Sequence, residues 1–143
     1  MKCWGGPSYI RNDISGTARE GDVLREQELT YRIRSCVYEV SRVLGAGFLE
    51  KVYERALLKE LALQGIQAHS QISLPVTYKD AVVGEYCADI VVEDRIVLEL
   101  KAKSDLSAAD EAQLINYLRA SDLSVGLLVN FGYPKATVKR FVV

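Results

Sequence analysis

Asp89, Glu99 and Lys101 are the residues of this chain whose types and spacing point most directly to chemistry. Residues 85 to 102 alternate in polarity as a β-hairpin does, and Glu93-Asp94-Arg95 reads as its three-residue turn. That turn sets Asp89 opposite Glu99. Side chains of a strand alternate between faces, so Ala88, Ile90, Val92, Ile96, Leu98, Leu100 and Ala102 make one apolar face. Cys87, Asp89, Val91, Val97, Glu99 and Lys101 make the other. Facing carboxylates repel, by roughly 0.2–1 kcal/mol in a sheet and by more when desolvated. A hard divalent cation such as Mg²⁺ or Mn²⁺ offsets that repulsion, because it prefers carboxylate oxygens and keeps open water positions. Lys101, diagonal to Asp89, reaches the same place. The plainer alternative is a solvated sheet face on which Lys101 pairs with both acids.

The hairpin needs elements to hold it. Leu29, Ile33, Val37, Val40 and Leu44 recur at helical spacing and predict an amphipathic helix over 26–44, broken by Gly45-Ala46-Gly47. A second helix is predicted over 48–64 with Gly65 as its stop. Residues 66–78 read as a strand that Pro75 confines to an edge or an irregular segment, and Lys79-Asp80 as a turn into Val82 and Val83. Ser107 caps a third helix to Ser121, the apolar run 125–131 suits a buried strand, and 137–142 can add a last one. Strand, helix and buried strand in succession imply a parallel crossover onto the 96–102 strand, hence a mixed sheet in the order ααβββαββ. Residues 1–24, with several glycines and few periodic apolar positions, read as a flexible leader, leaving 25–143 as one domain.

Composition narrows the chemistry. His69 is the only histidine, which removes histidine-rich metal sites and histidine-based nucleophilic triads. Cys3, Cys36 and Cys87 form no C-x-x-C pair and read as reduced thiols. With 18 basic against 19 acidic residues, the charge argues mildly against non-specific nucleic-acid binding. No apolar run is long enough for a membrane span or a signal peptide, so a cytoplasmic chain is expected. Glu50 opens the second helix, where a carboxylate suits the positive helix end. Gln113 and Tyr117 share a face of the third. Lys135, Lys139 and Arg140 read as a modest basic cluster.

The ordered set Gly47-Phe48-Leu49-Glu50-Lys51-Val52-Tyr53, Asp89, Glu99-Leu100-Lys101 and Gln113-x-x-x-Tyr117 resembles the GxxExxY family of the PD-(D/E)XK nuclease superfamily over about residues 29 to 143. The resemblance implies an α/β, restriction-endonuclease-like αβββαβ core with a mixed central sheet flanked by helices and an extra N-terminal helix. It implies a Mg²⁺- or Mn²⁺-dependent nuclease, with Glu50 as the first-helix acid and an additional metal ligand or water-orienting group, Asp89 and Glu99 as metal-binding catalytic acids and Lys101 as the catalytic lysine. The Leu100 carbonyl would join the metal ligands, and Gln113 and Tyr117 would contact substrate. Ala88 stands where the superfamily name has proline. Nucleic acid, DNA in preference to RNA, is the implied partner, with a homodimer allowed. The alternative is a catalytically silent nuclease-fold module, or a subunit of a repair or defence complex.

Overall fold

The computed structural model describes residues 20–143. Its elements run α1 (Glu20–Leu44), α2 (Glu50–Leu63), β1 (Ala68–Tyr78), β2 (Ala81–Val92), β3 (Ile96–Lys101), α3 (Ala108–Ser121), β4 (Val125–Asn130) and β5 (Thr137–Val142). This is the expected ααβββαββ order. The leader assigned to residues 1–24 lies outside the described residues up to residue 19, and residues 20–24 are the first turns of α1.

The five strands lie side by side in chain order. Only β3 and β4 are parallel, with α3 as their crossover, so the sheet is mixed. β1 is an edge strand, where Pro75 withholds no ladder hydrogen bond from a second neighbour. On one face α1 and α2 bury Ile33, Val37, Val40, Tyr53, Leu57 and Leu61 against Ile90, Val92, Ile96, Leu98, Leu100, Leu127 and Val129. On the other, α3 buries Leu114, Tyr117 and Leu118 against Val91, Val97 and Leu128. The face that carries Glu99 is therefore covered, which removes the solvated-face alternative.

α2 begins two residues later than its periodicity predicts. Gly47 has φ +108, a backbone open to glycine and strained for other residues. The buried Tyr53 hydroxyl donates to the Gly45 carbonyl at 2.5 Å and accepts the Phe48 N–H at 3.2 Å. Its ring stacks on Phe131 with centroids 4.5 Å apart. With its N–H held by a side chain, Phe48 stays outside the helix, Leu49 is extended, and Glu50 becomes the first helical residue. The spacing Gly47, Glu50, Tyr53 thus has a local reason: it fixes where α2 starts and where Glu50 stands.

The hairpin reading holds in register and fails in one face. Val92 pairs with Ile96, Val91 with Val97 and Ile90 with Leu98 across the expected three-residue turn. Ala88, however, packs with Ile72 and Leu74 on the α3 side, whereas Ile90 packs on the α1–α2 side. Strict alternation would place Ala88 with Ile90. β1 and β2 keep one register on either side of Gln71 and Asp89, yet both strands exchange faces there. Gln71 has φ +53, a left-handed backbone that reverses the pleat. Beyond that point the β1–β2 arm folds over α3.

At the end of β3 away from the turn, Asn130 clamps the chain after Lys101, accepting the Lys103 N–H at 3.0 Å and donating to the Lys103 carbonyl at 2.8 Å. A Cβ at Gly132 would lie 2.3 Å from that same carbonyl oxygen. Gly132→Ala should therefore destabilise the protein by about 1–3 kcal/mol in urea denaturation; an unchanged midpoint would show that the clamp yields.

Candidate active site

The β2–β3 ladder ends at Ile90–Leu98, so Asp89 and Glu99 are not a backbone pair as the turn alone predicts. Where β2 turns its face, the strands part and the Asp89 side chain enters the gap: its Oδ2 accepts the Leu100 N–H at 2.7 Å. A strand residue's N–H and C=O point to the same edge in such a ladder, so the Leu100 carbonyl faces the same opening. The Asp89 charge acts directly on the Glu99 carboxyl and opposes its ionisation.

Burial sets the electrostatics. Glu99 is only 5% exposed, and its Oε2 is buried with no hydrogen-bond donor. Burial first, and then the charge of Asp89, push Glu99 up to about 8, against the opposing pull of Lys101. Asp89 is also raised, chiefly by burial, although the Leu100 N–H opposes it. Two acids that resist ionising together, one with an orphaned oxygen, form a site that suits a cation.

Asp89 also lines a cleft of about 210 Å³ with Glu50, Lys51, Glu54, Gln71 and Leu100. Glu50 is exposed at its mouth. Among the described residues no three His, Cys, Asp or Glu side chains converge tightly enough to enclose an ion. The donors at hand are two carboxylates and one backbone carbonyl, with Glu50 further out. Such a set fits Mg²⁺ or Mn²⁺, which retain several waters, better than an ion needing a full protein cage.

On the α3 side a chain of contacts holds Lys101. Its Nζ lies 3.7 Å from Glu99 Oε1 and 3.8 Å from Asp110 Oδ1, and donates to Gln113 Oε1 at 3.3 Å. Gln113 Nε2 in turn donates to the Tyr117 hydroxyl at 2.9 Å. Burial, with the charges of Glu99 and Asp89, raises that phenol to about 12, so it stays protonated. Gln113 and Tyr117 are thus brought to Lys101, while Glu50 is brought to Asp89 from the opposite face.

Three contributors lie outside the residues expected from the sequence. Glu54 is buried, paired with Lys51 at 2.8 Å and accepting from Gln71 at 2.6 Å; one turn after Glu50, it could have been found by helical spacing. Asp110 closes the capping box with Ser107, and its contact with Lys103 is the main reason it is pulled down to about 2. Gln71 shows its role only through its backbone. Gln71→Ala keeps the strained φ and loses the bond to Glu54, so it should be less stable than wild type. Gln71→Gly should recover about 1 kcal/mol of that loss, and equal stability of the two variants in urea would deny the strain.

Two further expectations are corrected. Lys139 and Arg140 do not cluster: adjacent on β5, they point to opposite faces, opposite Leu128 and Leu127, and Lys139 pairs with Glu111 on α3. Cys36 is a buried free thiol, but Cys87 is disulfide-bonded rather than reduced.

Among the described residues no helix is long and apolar enough to cross a membrane. No curated protein matches the chain. Among solved structures, SSO0001 is similar, at 21% identity and a TM-score of 0.49, over 84% of this chain and 60% of its own. The chain thus spans less than two thirds of that protein's length. The pattern of one nuclease superfamily matches residues 27–141 and takes in α2, the hairpin, α3 and both final strands. The chain, with its restriction-endonuclease-like fold, belongs to the PD-(D/E)XK nuclease superfamily.

Proposed function

We propose that the protein is a nuclease of the GxxExxY group that hydrolyses phosphodiester bonds of nucleic acid, DNA in preference to RNA, with a divalent metal held by Asp89, Glu99 and the Leu100 carbonyl. Nucleases of this superfamily generally use divalent metals. The observation that carries the reading is the pairing of half-buried Asp89 with buried Glu99, whose Oε2 has no donor. Glu50, which lines the same cleft, would serve as a further ligand or reach the ion's outer waters.

When bound, Mg²⁺ or Mn²⁺ would lower the pKa of a water and polarise the phosphate. The protein's own part is positioning. Asp89 is held by the Leu100 N–H, which would leave its second oxygen for the ion. Lys101, steadied by Gln113, Glu99 and Asp110, would orient the attacking water or neutralise charge growing on the phosphoryl oxygens. Gln113 and Tyr117 keep that ammonium in place and border the path of the substrate backbone. This reading carries with it a cytoplasmic chain and allows a homodimer.

Incubation of purified protein with Mg²⁺ or Mn²⁺ and single-stranded, double-stranded or branched DNA and RNA tests it. Cleavage of at least one substrate, lost in Asp89→Ala, is expected. No cleavage of any, or cleavage untouched by that change, rejects it.

A further inference from the structure

Beside the site, β2 and the outer flank of α3 enclose a groove of about 440 Å³, walled by Tyr86, Asp110, Gln113 and Asn116 over a floor of Ala109 and Ala112. The groove is continuous with the lysine site, because Asp110 and Gln113 belong to both. Tyr86 is 39% exposed, and its ring is braced by Tyr117, with centroids 4.9 Å apart and planes at 59°. Tyr117 holds Gln113, which holds Lys101. One rigid chain of contacts therefore runs from the ammonium to an aromatic surface open to solvent.

The chemistry of the walls selects the occupant. Among the described residues the lining holds Asp110 and no basic side chain, so nothing in the groove selects a phosphate, whereas a flat uncharged group is accommodated. The two alanines leave room for such a group beside the ring. Asn116, exposed on α3, presents an amide that both donates and accepts. We propose that this groove is a base-binding subsite: the nucleotide next to the phosphate at Lys101 lays its base against Tyr86, with Asn116 hydrogen-bonding its edge. The inference rests on the nuclease reading for the position of that phosphate. It commits to an unpaired base, since the face of a base within a duplex is covered by its stacked neighbours.

The test uses the full chain and labelled single-stranded DNA, measuring KM and kcat with Mg²⁺ and binding in EDTA. One abasic position is walked along the oligonucleotide. Tyr86→Ala should raise KM and Kd by about 5- to 150-fold with kcat little changed, the range expected for one base–aromatic stack. Tyr86→Phe should bind as wild type, which separates stacking from a folding defect. Wild type should lose a similar factor when the abasic position reaches the subsite, and Tyr86→Ala should lose nothing further. If cleavage occurs and both proteins treat both oligonucleotides alike, the subsite is overturned and the nuclease reading stands. If nothing is cut but binding still depends on Tyr86 and on the base, the nuclease reading falls and the subsite stands. An equal Tyr86 dependence on blunt duplex would overturn the unpaired base.

Discussion

Asp89→Asn is expected to lower kcat by about a thousand-fold or more on whichever nucleic acid the protein cuts, while KM changes little. Asp89 occupies the gap where β2 and β3 part, with one oxygen committed to the Leu100 N–H at 2.7 Å, and it lines the cleft. An amide can keep the first bond only by turning its oxygen inward, which presents an NH₂ group to the cation. Loss of a single transition-state hydrogen-bond donor costs about 10²–10³ in kcat, and removing a direct charge-bearing ligand should exceed that. Lys101→Ala should fall in the same range, with metal binding retained. Steady-state kinetics over a Mn²⁺ series checks both, and an Asp89→Asn enzyme within tenfold of wild type at saturating metal would remove Asp89 from the site.

The second large effect is on stability. The Glu99 carboxyl has an ordinary value of 4.5 and is pushed to about 8 in the folded protein, chiefly by burial. Between those values the folded protein holds a proton that the unfolded chain has released. Stability therefore falls as pH rises through that window, by roughly 1 kcal/mol per pH unit, and levels off above it. Glu99→Gln removes both the titration and the buried orphan oxygen. In EDTA the variant should be flat from pH 6 to 8 and more stable than wild type at pH 8, although it should be inactive. Lys101 keeps Asp110 and Gln113 as partners in that variant. Saturating Mn²⁺ should flatten the wild-type profile. A metal-free wild type whose stability rises from pH 6 to 8 would mean that Glu99 is ionised without strain.

Much of the architecture was readable because it follows from local rules. The turn at Glu93-Asp94-Arg95 set the β2–β3 register, Ser107 marked the start of α3, and the apolar run from Val125 suited a covered strand. The exchange of faces at Gln71 and Asp89 was not readable, since it depends on one residue adopting a left-handed backbone that glutamine rarely takes. That exchange ends the ladder and turns Asp89 from a cross-strand partner into a side chain bonded to the Leu100 backbone. The pairings of Glu54 with Gln71 and of Lys101 with Asp110 likewise join distant elements, so no spacing rule reports them. Composition suggested a basic cluster near the end of the chain, but strand alternation divides Lys139 from Arg140.

The hairpin's apolar face supports the site differently from the way alternation suggests. Ile90, Leu98 and Leu100 anchor it to the two N-terminal helices, whereas Ala88 leans on the α3 side. The acids thus sit at a crossing between two cores. Neither core can shift without moving Asp89 or Lys101, which is the rigidity a preorganised site requires.

Crystals soaked in Mn²⁺ and measured at the manganese edge test the central claim most directly. The account predicts an anomalous peak between Asp89, Glu99 and the Leu100 carbonyl, absent from Glu99→Gln crystals treated alike. A wild-type map with no peak there, or with manganese bound only at other residues, would contradict it.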